Sequence, residues 1–468
     1  MSFKYIRVFL TASILILIVV SCKNKDKSYI PTTTIIEGQI ISSESPVIVL
    51  KNEQEYKSPM DPNGKFLIST ELDKPGIYSL LLDYQRIFVF IEPGDRITIT
   101  GDVRNLTTST KFSGDHANEN NYLLAFENLK QETRPTDFEA FYTQSEEEFL
   151  AAVDARTASL NTDQQEYQKK NGPFDVLFAN MLGDEISYEG AIAKMNYPAY
   201  NEYIHPDSTI KLSDTYDSFL QNIEIDADKN LFLPAYKEFL PVYLDYKMRN
   251  DTLNKSITQT QKKFNLIGQL FTGKSIKNYM YYQLMSQTID YAVNEATPIM
   301  DKFQTVQTNM EYKAEINAKY ARWTTLLQGQ PAPDFTCMTP TGKSVSLQSL
   351  KGKIVYIDVW ATWCGPCLRE LPYLEKLQEE TKSNDIVFVS VSIDQDKNAW
   401  ETMVKSKNMK GTQLYAENAW NAPIVANYFI QGIPRFILIG KDGNIINSNA
   451  PRPSSSDIRK ELSEALGS

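Results

Sequence analysis

Trp363-Cys364-Gly365-Pro366-Cys367 is the stretch that decides the fold, since it places two cysteines three residues apart directly after an apolar run. That run, Ile354 to Val359, predicts a buried strand, and Cys367 to Thr381 predicts a helix. Cys364 then lies at the helix N-terminus, where unpaired N–H groups and the helix dipole favour a thiolate. We therefore expect Cys364 to be the exposed attacking thiolate and Cys367 the resolving thiol.

Two other uses of this cysteine spacing have to be weighed. Zinc sites share it but need a second pair of ligands, whereas the remaining cysteines are Cys22 and Cys337 and the histidines, His116 and His205, form no ligand-spaced cluster. A static disulfide is the other alternative, because the compartment inferred below is oxidising. A static bridge does not need the Gly-Pro insert or Trp363, so disulfide exchange is favoured, and we expect no metal and no cofactor.

The wider sequence around the cysteines resembles a known family. Residues 357–367 resemble the active-site segment of thioredoxin, and Gln431-Gly432-Ile433-Pro434 is similar to the thioredoxin loop that carries a cis-proline beside the disulfide. Residues 331–335, 350–353 and 370–372 extend the resemblance to the TlpA/ResA-like membrane-associated thiol-disulfide oxidoreductases. It covers about residues 330 to 468 and implies a C-terminal α/β thioredoxin-like fold. The supporting residues that it implies are Trp363, Gly365, Pro366, Glu370 and Ile433.

Asp358 and Pro434 complete the expected site. Asp358 lies in an otherwise apolar strand, where burial makes ionisation costly, so we expect a raised pKa and proton transfer toward Cys367, as the matching aspartate does in thioredoxin. The alternative is a strand-end aspartate turned to water. The resemblance implies a cis bond before Pro434, which would present the Ile433 backbone to a substrate strand.

The chain between the Cys367 helix and Pro434 is longer than in thioredoxin. It predicts a strand at Ile386 to Ser392, a helix near Lys397 to Ser406 and a short strand at Gln413 to Ala416. Such an insertion is similar to the TlpA/ResA and peroxiredoxin branch of the fold. A peroxidase is disfavoured, because a peroxiredoxin site needs threonine three positions before its cysteine and position 361 is alanine.

The N-terminal residues indicate export. Lys4 and Arg7 precede the apolar stretch Phe9 to Val20, which at about twelve residues is shorter than the ~20 a membrane span needs. The pattern ending at Cys22 resembles a bacterial lipoprotein signal, so we expect a signal peptide over 1–22, lipidation of Cys22 and a tether over 23–32. An ordinary secretory signal or a short anchor is the alternative. Either version sends the protein out of the cytoplasm. With the lipid, we expect it on the periplasmic side of the cell envelope, anchored at the inner or the outer membrane.

Length and pattern predict several domains, since 468 residues exceed what one core normally supports. Regularly spaced β-rich runs over 33–116 predict an antiparallel sandwich or barrel-like domain, residues 117–328 read as α-helical, and 329–468 form the thioredoxin-like domain. Cys337 falls in the first strand of that domain and is expected to be buried and inert. With 48 basic and 58 acidic residues the chain is unsuited to nucleic acid.

The predicted function is an envelope thiol-disulfide oxidoreductase that reduces protein disulfides. The Gly-Pro insert accompanies reducing thioredoxins, and the resemblance implies re-reduction by a membrane electron carrier of the DsbD/CcdA type. Cytochrome c maturation and disulfide quality control are the expected settings. The alternatives are a disulfide-donating oxidase or isomerase, and a non-enzymatic envelope adaptor with a redox-sensitive module.

Overall fold

The computed structural model describes residues 32–52, 54–83, 85–249, 257–381 and 383–467. The predicted signal peptide 1–22, including Cys22, and the tether up to residue 31 lie outside these residues. Within the described ranges, no helix combines the length and the apolar character that crossing a bilayer requires.

Strands occupy both ends of the chain, and helices dominate between them. The strands are β1 (Thr33–Ile41), β2 (Val47–Lys51), β3 (Glu55–Pro59), β4 (Lys65–Glu71), β5 (Gly76–Leu82), β6 (Gln85–Ile91), β7 (Arg96–Asp102), β8 (Lys111–Gly114), β9 (Thr336–Met338), β10 (Ser344–Ser346), β11 (Ile354–Trp360), β12 (Ile386–Ser392), β13 (Thr412–Tyr415), β14 (Arg435–Ile439) and β15 (Ile445–Asn447). The helices are α1 (Leu106–Ser109), α2 (Ala117–Glu132), α3 (Phe138–Tyr142), α4 (Glu146–Asn171), α5 (Val176–Ile204), α6 (Pro234–Met248), α7 (Gln259–Leu270), α8 (Lys274–Ala296), α9 (Met300–Val306), α10 (Met310–Trp323), α11 (Gly365–Glu380), α12 (Lys397–Ser406), α13 (Pro423–Asn427) and α14 (Asp457–Leu466). The order confirms the predicted β-rich, helical and thioredoxin-like regions.

The chain divides into two compact units, of which the first contains the described residues up to Thr133 together with Gln165–Ala179. Its strands form two sheets, in the orders β4-β1-β7-β8 and β3-β2-β5-β6. Both sheets contribute to one apolar core, as Ile36 and Ile99 from the first sheet and Leu50 and Leu80 from the second are at most 1% exposed. The predicted sandwich is therefore confirmed.

One strand pairing in this unit differs from the expected antiparallel arrangement. β1 and β7 run parallel, with Gly38 beside Ile99. A Cβ at Gly38 would lie 1.8 Å from the carbonyl oxygen of Ile99, so only glycine allows this close approach. Side chains alternate between the two faces of a sheet in parallel and antiparallel strands alike, so the sequence pattern did not reveal the direction of β1.

The second unit contains Arg134–Gln164 and the residues from Asn180 onward. Helix α4 begins with a capping box, in which the Ser145 hydroxyl accepts a hydrogen bond from the Glu148 N–H and the Glu148 carboxylate accepts one from the Ser145 N–H. Several tyrosines of the helical region are buried in its core, among them Tyr188, Tyr197, Tyr216, Tyr236 and Tyr243. Tyr203, which is 73% exposed, is an exception.

The C-terminal part of the second unit is built on a sheet in the order β10-β9-β13-β12-β11-β14-β15. β11 is parallel to β12 and antiparallel to β14, and every one of its residues is buried. A central strand covered on both faces explains the continuous apolar run in the sequence. Because β11 and β12 are parallel, the residues that follow them lie at the same edge of the sheet, where α11 begins.

Candidate redox site

The two cysteines of the opening motif form a disulfide at the start of α11. Cys364 and Cys367 are bonded to each other, with their Cα atoms 5.2 Å apart. Cys364 is the N-cap residue of α11, and its Sγ accepts a hydrogen bond from the Cys367 N–H at 3.2 Å. This confirms the predicted place at a helix N-terminus, where the same N–H groups stabilise a thiolate. The helix begins at Gly365, two residues earlier than predicted.

The expected exposure of Cys364 is wrong for this disulfide state. Cys364 is only 4% exposed and Cys367 is 2% exposed. The sulfur of Cys364 is bonded to the sulfur of Cys367 and accepts a hydrogen bond from an N–H of the first helical turn, so it contacts the helix end rather than water. A Cβ at Gly365 would meet only the Arg369 Nη1 atom, at 3.8 Å, so the neighbouring position is uncrowded. Pro366 occupies the first turn, where its missing N–H costs no helical bond.

Asp358 is a completely buried carboxyl group in the strand that leads to the disulfide. It lies beside Ser390 of β12 and Phe436 of β14. Burial raises the pKa of Asp358 from 3.8 to about 7, against the effect of a hydrogen bond from Ser390, and the charge of Glu370 raises it further. The raised pKa is confirmed, and the alternative of an aspartate turned to water is wrong. A carboxyl group with a pKa near neutrality can take up or release a proton at physiological pH.

Glu370 is the second buried acidic residue of the region and lies on α11. Its carboxylate accepts hydrogen bonds from the Ser454 N–H at 3.0 Å and from the Ser454 hydroxyl at 2.8 Å. The residue therefore ties α11 to the segment before α14 and places a negative charge near Asp358. Its predicted supporting role remains a prediction, since these contacts show only its position.

The peptide bond between Ile433 and Pro434 is cis, which confirms the expectation drawn from the resemblance. Ile433 and Pro434 are both half-buried, and Gln431 and Gly432 before them are exposed. We call residues 431–435 the cis-proline loop. Its last residue, Arg435, is also the first residue of β14, which pairs with the strand that carries Asp358.

An exposed aromatic pair borders the disulfide. Trp363 is 59% exposed, and its ring centroid lies 6.4 Å from that of Trp420, which is 39% exposed. Trp360, three residues earlier, is completely buried. Trp363 is therefore a surface residue beside Cys364, while Trp360 packs the core.

Sequence reasoning missed Asp394, which fixes the turn before the cysteines. Asp394 is 2% exposed, and its carboxylate accepts hydrogen bonds from the Thr362 N–H at 3.0 Å and from the Thr362 hydroxyl at 2.7 Å. The Ser392 hydroxyl donates to the same carboxylate at 2.7 Å. The signal was available, because Asp394 follows β12 and Thr362 follows β11, and parallel strands bring these ends together.

Cys337 lies in β9, outside the disulfide. It is 3% exposed, and burial raises its pKa to about 12. The thiol is therefore protonated at neutral pH, which confirms the expectation of a buried, inert cysteine.

Two protein-family models match separate parts of the chain. Residues 327–465 match the Redoxin family, and residues 34–121 match a domain of unknown function, DUF4369. Thiol-disulfide oxidoreductase ResA of Bacillus cereus is 30% identical over 118 residues, which are 25% of this chain and 66% of ResA. Residues 327–465 thus form a thioredoxin-like domain that matches the Redoxin family and is similar to the thiol-disulfide oxidoreductase ResA.

Other relatives match the same redoxin domain. ResA of Bacillus subtilis is 29% identical over 28% of this chain and 71% of that protein. A solved structure of a putative thiol-disulfide oxidoreductase from Bacteroides vulgatus is 41% identical and aligns with 31% of this chain and 99% of that chain, with a TM-score of 0.29. This chain covers slightly less than two thirds of the length of the ResA protein of Bacillus cereus.

Proposed function

We propose that this protein reduces protein disulfides through the Cys364/Cys367 pair. The observation that carries the proposal is the disulfide at the N-terminus of α11, where Cys364 caps the helix and accepts a hydrogen bond from its first turn. Asp358, whose pKa is raised to about 7, lies in the strand that leads to this pair. A stabilised thiolate and a nearby group that exchanges protons at neutral pH are what dithiol chemistry needs.

The proposed reaction has two exchange steps. In the reduced enzyme the Cys364 thiolate attacks one sulfur of a substrate disulfide, forming a mixed disulfide and releasing the other substrate sulfur as a thiolate. Cys367 then loses its proton to Asp358 and attacks the Cys364 sulfur. The second substrate thiolate leaves with the electron pair, and the Cys364–Cys367 disulfide remains. Two electrons have then passed from the enzyme to the substrate, Asp358 holds the proton that Cys367 lost, and the two substrate thiolates take up protons from water.

The direction of transfer is proposed from the dipeptide between the cysteines. Gly365-Pro366 is the insert of thioredoxin, whose potential is about −270 mV, whereas the oxidant DsbA lies near −120 mV. This gap corresponds to about 7 kcal/mol for a two-electron couple, which is enough to set the direction. A reductase outside the cytoplasm needs an electron source, and we propose a membrane carrier of the DsbD/CcdA type.

The location and the domain limits belong to the same proposal. We propose a signal peptide over 1–22, a lipid on Cys22 and a periplasmic position in the cell envelope. The domain limits proposed are 33–116, 117–328 and 329–468, after a tether at 23–32. Substrates then include proteins whose cysteines must be reduced outside the cytoplasm, among them cytochromes c before haem attachment.

The test is insulin reduction together with a measured midpoint potential. The proposal expects turnover with dithiothreitol as electron source and a potential roughly as negative as that of thioredoxin. Cys364→Ser is the control that must abolish turnover. A midpoint potential near that of DsbA would show that the protein acts as an oxidase and not as a reductase. No exchange with any disulfide would favour a non-enzymatic adaptor.

A further inference from the structure

The helical region is attached to the redoxin domain at a break in α8. Ala292 leaves the helical conformation, with φ −152° and ψ 54°. The carbonyl groups of the two residues before the break accept hydrogen bonds from the redoxin domain. Arg435 Nη1 donates to the Asp290 carbonyl at 3.4 Å, and Asn449 Nδ2 donates to the Tyr291 carbonyl at 2.6 Å. Side chains of one domain thus bind backbone groups next to the break in the other.

Asp290 contacts both ends of the cis-proline loop. Its carboxylate accepts a hydrogen bond from Gln431 Nε2 at 3.3 Å, at the start of the loop, and its carbonyl accepts from Arg435 at the end. Lys319 of α10 holds the same carboxylate at 2.6 Å. Asp290 of the helical region therefore contacts the loop on both sides of its three central residues, which include Ile433 and Pro434.

Arg435 strengthens the attachment from the redoxin side. It is 5% exposed, and its Nε donates to the Ser448 carbonyl at 3.1 Å. Burial lowers the pKa of Arg435 to about 10, so the guanidinium stays charged at neutral pH. A charged, planar and hydrogen-bonded group at the end of the loop restricts the loop more than a flexible side chain would.

Aromatic packing provides an independent second contact. The ring centroids of Trp323, at the end of α10, and Phe429, just before the loop, are 5.0 Å apart. Arg322 lies over the same phenylalanine ring, 4.9 Å from its centroid. The Gln328 N–H also donates to the Asn294 side chain at 3.0 Å, which ties the linker between the domains to α8. The helical region is thus held beside the loop by polar and apolar contacts together.

Tyr291 is an exposed aromatic residue at this junction. Its side chain is 52% exposed, although its backbone carbonyl is bound by Asn449 and its neighbour Asp290 is bound to the loop. We infer that the helical region forms one side of the protein-substrate site, with Asp290 positioning the cis-proline loop and Tyr291 contacting the substrate. This inference rests on the proposed function, in which a substrate strand pairs with the Ile433 backbone.

The occupant is an extended, cysteine-bearing segment of a protein substrate with an apolar or aromatic side chain near its cysteine. In an extended segment, alternate side chains point to the same side, so a residue two positions from the cysteine can reach a neighbouring wall. Exposed aromatic groups are the side chains that most often anchor such contacts. Tyr291 beside the loop and Trp363 with Trp420 beside the disulfide supply these groups from two domains.

The test uses chromogenic peptides and the full-length protein. Each peptide carries one cysteine as a mixed disulfide with thionitrobenzoate, and phenylalanine or glycine stands two residues before or after it. The reduced enzyme displaces coloured thionitrobenzoate through Cys364, and Cys367 then releases the peptide thiol, so two enzyme thiols become one disulfide. The inference expects wild type to prefer a phenylalanine peptide in kcat/KM, and Tyr291→Ala to reduce that preference by about tenfold.

Conservative variants and a second residue separate binding from folding. Tyr291→Phe should keep the preference, because the ring supplies the contact, and Tyr203→Ala is the matched exposed-tyrosine control. Asp290→Ala should lower kcat/KM for all peptides. The loss of the ion pair with Lys319 lowers the thermal unfolding midpoint, and a circular dichroism spectrum equal to that of wild type at the assay temperature shows that the fold is intact. Reduction of every peptide at equal rates by wild type, or a preference that survives in Tyr291→Ala, would overturn the inference. Failure of wild type to reduce any peptide would instead overturn the proposed function.

Discussion

Replacing Asp358 by asparagine should remove a pH dependence of stability that comes from one buried carboxyl group. Burial raises the pKa of Asp358 from 3.8 to about 7. In the unfolded chain the group loses its proton near pH 4, so between these two values the folded state binds more protons than the unfolded state. The free energy of unfolding therefore falls as the pH rises through this window.

The size of the fall follows from the distance between the two pKa values. Roughly 3 pH units at 1.36 kcal/mol each give a loss on the order of 4 kcal/mol between pH 4 and pH 8. Asparagine is neutral at every pH and fits nearly the same space beside Ser390. Asp358→Asn should match wild type in stability near pH 4 and exceed it by up to about 4 kcal/mol at pH 8.

The assay is guanidinium unfolding of the oxidised protein at several pH values, followed by tryptophan fluorescence. All five tryptophans of the chain lie at or after residue 323, so the signal reports on the redoxin domain and the end of α10. Glu379→Gln, which removes an exposed carboxylate of α11, is the control and should keep the wild-type slope. Equal slopes for wild type and Asp358→Asn would refute the assignment of a raised pKa to this residue.

Three further substitutions test the neighbours of the site. Ser390→Ala removes the hydrogen bond that favours ionised Asp358, so the midpoint of the pH–rate profile for mixed-disulfide resolution should rise by about one pH unit; an unchanged profile would contradict this. Glu370→Gln removes a nearby negative charge and should move the same midpoint downward. Asp394→Asn leaves the Thr362 donors with a weaker acceptor and should lower the free energy of unfolding by about 2 kcal/mol in a denaturant titration; wild-type stability would show that the turn does not depend on this carboxylate.

The sequence predicted the central elements of the redoxin domain to within about two residues. Strand β12 and helix α12 have the predicted limits, because an unbroken apolar run and an amphipathic segment with Asp396 as N-cap leave little ambiguity. The pKa shift of Asp358 was predictable for a similar reason, since a carboxyl group inside such a run has little alternative to burial. Local pattern therefore accounts for both the framework and the raised pKa of this buried carboxyl group.

Features that depend on distant parts of the chain were not predictable. The parallel direction of β1 beside β7 does not change the alternation of apolar and polar residues along the strand, so the sequence does not reveal it. Neither proline nor glycine stands at the break in α8, so the sequence around Ala292 does not predict it. The side chains that bind the carbonyl groups next to the break belong to Arg435 and Asn449, more than 140 residues later in the chain. The low exposure of Cys364 depends on the bond to Cys367 and on the helix end, which spacing alone does not describe.

Trapping of substrates in cells tests the central claim most directly. Full-length protein with Cys367→Ser retains the attacking thiol but lacks the resolving thiol, so mixed disulfides with substrates should accumulate. The account predicts adducts that depend on Cys364, disappear on reduction and are absent from the Cys364→Ser/Cys367→Ser double variant. Finding no adduct with Cys367→Ser under any growth condition, with the protein folded and exported, would contradict a role as a disulfide reductase.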